Sequence, residues 1–367
     1  MITLAIQGGE LITPLEERFT TVWLAGAEIS HIGDRSPAAA SHRVLDAGGC
    51  YVTPGLIDLQ VNGSQSCNLW GDPSQPELSV LRSELATLGV TSFLPTLITD
   101  EIGHLKKNIA FLRSSGAGSS QLDAKVDSNG ARMPGIHLEG PCLSPEKPGV
   151  HPPEWLQPLT RALMEELTTE GVTLVTLAPE LDPSGESVRY LLERNVRVSL
   201  GHSNATYEEA RTAFEQGVRL MTHTYNALPP LHHRSPGAIM AGFRDCLVTA
   251  CIICDGLHVD PNMVRLLIQT KGVPQVILVT DQAYVGTSKG GLVGSSISLS
   301  AAVRNVVEWG IVGFTDAIRM ATWNPAAVMG LNSRIGHLEP GKLADIVVWD
   351  KQSLAIRHVI VGGEQLL

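Results

Sequence analysis

Four side chains able to hold a metal or move a proton each stand just after a short apolar run. Glu139 follows Ile136-His137-Leu138, and His202 follows Leu200-Gly201. His223 follows Leu220-Met221-Thr222, and Asp281 follows Val276-Ile277-Leu278-Val279-Thr280. One carboxylate and two imidazoles, Glu139, His202 and His223, suit a catalytic zinc or similar divalent ion with a position left open for water. A lone histidine at the end of a strand is more often a hydrogen-bonded structural residue than a ligand. Three candidates at matched places, with Asp281 beside them, shift the balance to a metal site. Asp281 next to an activated water could take its proton and later pass it to a leaving amine. The competing assignment for Asp281 is a helix N-cap.

Weaker signals surround these four. Gln60, Asn62, Asp255 and His258 also follow apolar runs. Arg234, in Leu231-His232-His233-Arg234-Ser235-Pro236-Gly237, offers a planar fork suited to a phosphate, although most loop arginines are merely solvated. Cys251-Ile-Ile-Cys254 has the spacing of a metal knuckle but no second pair. It lies in an apolar run, Leu247 to Cys254, that reads as a buried strand.

Elements must carry these groups to one place. Eight strand candidates fall at Leu56 to Val61, Thr91 to Leu97, Gly135 to Leu138, Thr173 to Ala178, Arg197 to Leu200, Leu220 to Thr222, Leu247 to Cys254 and Val276 to Thr280. Helical patterns follow most of them, at Pro76 to Leu88, Glu101 to Arg113, Thr160 to Glu170, Tyr207 to Gln216 and Pro261 to Thr270. Eight β-then-α units predict a (β/α)8 barrel of the TIM type, with its chemistry at the C-terminal ends of the strands. Both termini read as short strands with turns and are expected to pair into one small β-domain. The expected division is residues 1–52 with 335–367 for that domain and 53–334 for the barrel. The Gly/Ser-rich stretch Ser114 to Ser120 reads as a surface loop.

With 367 residues, 43% of them hydrophobic and 17% charged, the chain can bury a large core. A formal net charge of −10 argues against nucleic acid or an anionic membrane as partner. It leaves room for a small anionic substrate held by a local basic cluster. No signal peptide or membrane-spanning stretch is read, and the six cysteines form no disulfide framework, so a cytoplasmic location is expected.

Several segments carry a family resemblance. Pro54-Gly55-Leu56-Ile57-Asp58 and Gly341-Lys342-Leu343-Ala344-Asp345-Ile346-Val347 resemble the amidohydrolase superfamily. Gly135-Ile136-His137-Leu138-Glu139-Gly140-Pro141, Gly201 to Thr206, Thr222 to Ala227, Asp255-Gly256-Leu257-His258 and Val279-Thr280-Asp281 narrow it to the N-acetylglucosamine-6-phosphate deacetylase family. The resemblance implies a barrel carrying a small β-sandwich built from both termini, and metal-dependent hydrolysis of the sugar's acetamide. Gln60 and Asn62 stand where many amidohydrolases have a His-x-His pair, which implies one divalent ion per chain, zinc first, iron or another ion as the alternative. Glu139, His202 and His223 would hold it, with Gln60 near a bound water and Asp281 as general base and then acid. His151, after Val150, would polarise the acetamide carbonyl or touch the sugar. Val150, Asn226, Ala227, Arg234 and His258 would bind the sugar phosphate, Arg234 across the interface of a homodimer.

One departure stands out. The link from Asp281 to Leu292-Val293-Gly294-Ser295 is shorter than is usual in that family, and Gln282 replaces the usual alanine. Competing readings are a deacetylase of N-acetylgalactosamine 6-phosphate or of another N-acyl substrate, and a non-catalytic amidohydrolase-like barrel used in assembly.

Overall fold

The computed structural model describes residues 2–12, 17–35, 42–118, 130–284 and 293–367. Eight parallel strands form the barrel: β1 Leu56–Val61, β2 Val90–Ile98, β3 Ile136–Glu139, β4 Val172–Leu177, β5 Arg197–Leu200, β6 Leu220–Met221, β7 Thr249–Ile253 and β8 Val276–Val279. Each pairs with its sequence neighbour, so the spatial order is the chain order. Their residues are buried almost throughout, as strands covered on both faces must be.

Closure differs from the rest of the sheet. Between β8 and β1 the backbone contact is a parallel bridge from Val61 to Gln282, with Asn62 N–H donating to Gln282 O at 2.7 Å. A buried carboxylate reinforces it. Asp58 accepts from Thr280 Oγ1 at 2.6 Å and, through its other oxygen, from the backbone of Gln60 at 3.2 Å. Burial pushes the Asp58 carboxyl up to about 6.

The terminal strands make two further sheets. Glu28–Ile32, Val22–Ala25, Leu4–Gln7 and Arg43–Asp46 form one, in that order. The other runs Glu364–Gln365, Ile356–Val361, Ile346–Asp350, Cys50–Pro54, Glu10–Ile12, Glu17–Phe19. Leu4, Ile6 and Leu24 from the first meet Leu11, Val52, Ile346 and Ile360 from the second in one apolar cluster. Both ends of the chain therefore build a small β-sandwich, as expected.

Local chemistry explains where the helices sit. Ser74 with Glu77, and Thr206 with Glu209, form reciprocal capping boxes that start Gln75–Thr87 and Tyr207–Gln216. The helix expected over Thr160 to Glu170 is shorter, Arg161–Leu167, because the backbone leaves the helical region at Thr168 (φ −92, ψ 55). The seventh strand starts later than expected, at Thr249, with Leu247 left exposed. Cys251 and Cys254 are buried in and just after it, as the packing assignment required. Helices at Ile102–Ser114, Glu186–Glu193, Gly237–Arg244, Pro261–Lys271, Leu299–Glu308, Phe314–Ala321 and Trp323–Met329 complete those among the described residues. Ser119 and Ser120 of the expected loop lie outside the described residues. Among the described residues no helix is long and apolar enough to cross a membrane.

Candidate active site

The C-terminal ends of the strands open on one cavity, lined by Asn62, Trp70, Ile98, Glu139, Gly149, Val150, His151, His202, His223, Asn226, Ala227, His258, Asp281 and Gly294. Of the candidate side chains, Gln60, Asp255 and Arg234 do not line it; Gln60 lies behind Glu139 and Asp281, and Asp255 behind His258.

Glu139 ends β3, while His202 and His223 stand two residues beyond β5 and β6. Glu139 Oε1 is 3.0 Å from His223 Nε2 and 3.5 Å from His202 Nε2, and the two Nε2 atoms are 3.0 Å apart. Among the described residues this is the group whose ligand atoms converge closely enough for a metal ion. The donor set fits one. His202 Nδ1–H donates to Lys147 O at 3.0 Å, which leaves the Nε2 lone pair facing the cluster. Burial opposes charge on Glu139, yet the neighbouring imidazoles of His202 and His223 hold its carboxyl well below the usual range. Burial likewise opposes charge on His223, but Glu139 prevails and lifts it to about 9. A divalent cation would take the place of that proton on His223, held by the carboxylate of Glu139 and the imidazole nitrogens that face it.

His137 does not join the cluster. Its Nδ1–H donates to Leu59 O at 3.0 Å and its Nε2 accepts from Thr176 Oγ1 at 2.7 Å, inside the barrel. Burial keeps it neutral, at about 4.

Asp281 follows β8 and caps no helix: residues 282–284 are not helical, and among the described residues the next helix starts at Leu299 with Ser298 as its cap. That removes the N-cap alternative. Its Oδ1 accepts from Gln60 Nε2 at 2.9 Å and Asn62 Nδ2 at 2.7 Å. Gln60 Nε2 also reaches Glu139 Oε1 at 3.0 Å, so one amide ties the carboxylate of the cluster to the aspartate. Burial, and then the charge of Glu139, push the Asp281 carboxyl up to about 7. A carboxylate near neutrality can both accept and return a proton at physiological pH.

His151 is held for the opposite task. Thr99 N–H donates to its Nδ1 at 3.2 Å, and Thr99 Oγ1 lies 2.8 Å from the same nitrogen. That fixes Nδ1 as acceptor and puts the proton on Nε2, 3.9 Å from Glu139 Oε2. Burial, then the charge of His202, bring it down to about 3. A neutral N–H donor therefore faces the cavity. His258 is oriented by Asp255, whose Oδ2 accepts from its Nδ1–H at 2.6 Å. Asn226 turns its side-chain amide onto His223 O at 3.3 Å.

Arg234 is exposed and does not line this cavity. It sits in the turn bridged by His232 and Ser235, between β6 and Gly237–Arg244. Residues 285–291 of the short link after Asp281 lie outside the described residues. Beyond the link the chain is firmly rejoined: Ser295 N–H donates to Asp281 O at 2.9 Å, and Ala283 N–H to Ser295 O at 3.1 Å. Gly294 has φ +55, and a Cβ there would lie 2.6 Å from Asp281 O, so the close approach needs glycine. Gln282 takes part through its backbone, which also bridges to Val61.

The sequence reading missed Trp70. It lies after a two-strand hairpin, Gly63–Ser64 with Cys67–Asn68, and its indole Nε1–H donates to Asn62 Oδ1 at 3.2 Å. No spacing marks it; the hairpin that folds it back was the hidden signal.

Residues 51–366 match the amidohydrolase family. An N-acetylgalactosamine-6-phosphate deacetylase of Escherichia coli O157:H7 is 33% identical over 338 residues, 85% of this chain and 86% of that protein. An N-acetylglucosamine-6-phosphate deacetylase of Vibrio furnissii is 32% identical over 329 residues, 83% of this chain and 80% of its own. The crystal structure of N-acetylglucosamine-6-phosphate deacetylase from Pasteurella multocida superposes with a TM-score of 0.87 at 28% identity, covering 100% of this chain and 99% of that one.

Proposed function

The chain belongs to the amidohydrolase family, an enzyme hydrolysing an amide, and from that premise we propose that it removes the acetyl group from N-acetylglucosamine 6-phosphate. The observation that carries this reading is the convergence of three metal-capable side chains, a near-neutral carboxyl and a neutral imidazole N–H on one cavity.

Glu139, His202 and His223 hold one divalent cation, with zinc the first expectation. When bound, it activates a water and polarises the acetamide oxygen. Asp281 takes the proton of the attacking water and delivers it to the sugar nitrogen as the C–N bond breaks, leaving acetate and the free amine. His151 Nε2–H donates to the acetamide oxygen as negative charge gathers there. Gln60 keeps Asp281 and Glu139 at a fixed separation.

The cavity encloses about 190 Å³, less than the ~300–1,000 Å³ of complete small-molecule sites. The acetamide and sugar ring fill it, between Val150, Asn226, Ala227 and His258, and the phosphate lies toward its rim. There Arg234 of a second copy binds it in a homodimer. The free state of all six cysteines suits the cytoplasm.

The galacto-configured sugar phosphate is a specific second reading, because the relative from Escherichia coli is named for it. Acetate release measured on both sugar phosphates, with elemental analysis of the same preparation, tests the proposal. About one divalent ion per chain and faster release from the gluco sugar are expected. Release from neither sugar by the metal-loaded protein overturns the reaction, and faster release from the galacto sugar reassigns the substrate.

A further inference from the structure

We propose that Trp70 is a positioning residue for Asp281, acting through the amide of Asn62; this rests on Asp281 being the base of the reaction above. An indole N–H can only donate. Trp70 Nε1 lies 3.2 Å from Asn62 Oδ1, so the carbonyl end of the Asn62 amide must face the indole. The NH2 end then faces Asp281 Oδ1, at 2.7 Å. The reverse orientation would set a carbonyl oxygen against a carboxylate oxygen and an NH2 group against an N–H. Both ends of the chain of bonds therefore select the same amide orientation.

The consequence reaches the carboxylate. Oδ1 already accepts from Gln60 Nε2, and the Asn62 NH2 gives it a second donor. With Oδ1 occupied by two amides, Oδ2 is the oxygen left to take the proton of the attacking water. An Asn62 amide free to rotate would withdraw one donor and leave the two oxygens less distinct.

The hairpin that brings Trp70 over Asn62 is itself fastened. Ser64 and Ser66 hydroxyls both donate to Glu84 Oε2 at 2.7 Å, tying the hairpin to the helix Gln75–Thr87. Leu69 N–H donates to Asn62 O at 3.2 Å, and Trp70 N–H to Asn68 Oδ1 at 3.0 Å. Gly63 has φ +136, and a Cβ there would lie 2.2 Å from Cys67 O, so only glycine lets the hairpin close.

A double-mutant cycle in the metal-loaded enzyme tests this. Trp70→Phe keeps the ring and removes the N–H; kcat should fall about 3- to 10-fold, the worth of one hydrogen bond, with KM and metal content unchanged. In an Asn62→Ala background the same substitution should have no further effect on kcat. Equal losses in both backgrounds, no loss at all, or a change in KM alone would overturn the proposal, the last making Trp70 a substrate contact. As a readout independent of turnover, the indole ¹⁵N–H resonance that Trp70→Phe removes should move in Asn62→Ala; a fixed resonance would also overturn it. If the wild-type enzyme releases no acetate from either sugar phosphate, the reaction assignment fails on that ground, and the indole resonance alone decides whether the Trp70–Asn62 brace exists.

Discussion

Charge is buried at both ends of the barrel, and the two ends treat it differently. Near the N-terminal ends of the strands, Arg132 and Asp345 form a buried ion pair linking the barrel to the terminal sheets. Asp345 gives its other oxygen to Gly362 N–H at 2.8 Å, and the backbone of Arg132 bonds to Thr91 and Phe93 of β2. One cation meets one anion there. At the mouth, Glu139, Asp281, His151, His202 and His223 crowd together with lone pairs left over. The backbone differs as well. Among the described residues, seven non-glycine residues have positive φ, and five of them, His202, His223, Tyr225, Ala227 and Asp281, are at the mouth. Each such residue costs on the order of 1 kcal/mol or more. The lower pair holds the structure together, whereas the mouth is strained and under-neutralised in order to bind.

That contrast can be broken by mutation. Asp281→Asn should lower kcat by about 10²–10⁴-fold while keeping the metal, and a melting curve should show no loss of stability. By linkage, a carboxyl raised from 3.8 to about 7 destabilises the metal-free fold as pH rises through that window, so the amide removes a cost. Near-normal turnover would return Asp281 to a structural role. Asp345→Ala should do the converse. Stranding the Arg132 charge is expected to cost about 3–5 kcal/mol in denaturant unfolding, with kcat of the folded fraction unchanged; a drop in kcat without loss of stability would erase the distinction between the two ends. Arg234→Ala should raise KM for the phosphorylated sugar roughly 10-fold or more, the worth of a charged hydrogen bond, and leave KM for unphosphorylated N-acetylglucosamine alone. Equal rises on both would remove its phosphate role. The smallest effect is on pH dependence. Asp281 must be ionised to act as a base, so kcat/KM should decline on the acid side of about pH 7, and a bound cation should draw the midpoint lower. A profile with no acid limb at any pH where the protein stays folded would show that Asp281 is not that base.

Much of this was legible in the chain. The eight apolar runs fall on the eight strands because a strand buried on both faces must be apolar throughout, and polar residues mark where it emerges. That rule sets Glu139, His202, His223 and Asp281 at the strand ends, and there the structure has them. Trp70 was not, because its place depends on a hairpin closed by Gly63, a tertiary event with no periodicity of its own. His137, two residues before Glu139, points into the barrel instead, since one position along a strand decides which way a side chain points. The left-handed backbone at His202 and His223 was also invisible, because these residue types do not announce it as glycine does.

The closure between β8 and β1 has a consequence for how the molecule comes apart. Seven of the strand junctions are ladders, while the eighth rests on the Val61–Gln282 bridge and the Asp58 carboxylate. Amide protons at Asn62 and Ser295 should exchange with deuterium sooner than those between β7 and β8, since opening there breaks fewer bonds. Gln60 and Asn62 lie on one side of that junction and Asp281 on the other. On warming, the hydrogen bonds that hold Asp281 should be among the first to part, and turnover should disappear at a temperature where helix and sheet remain intact.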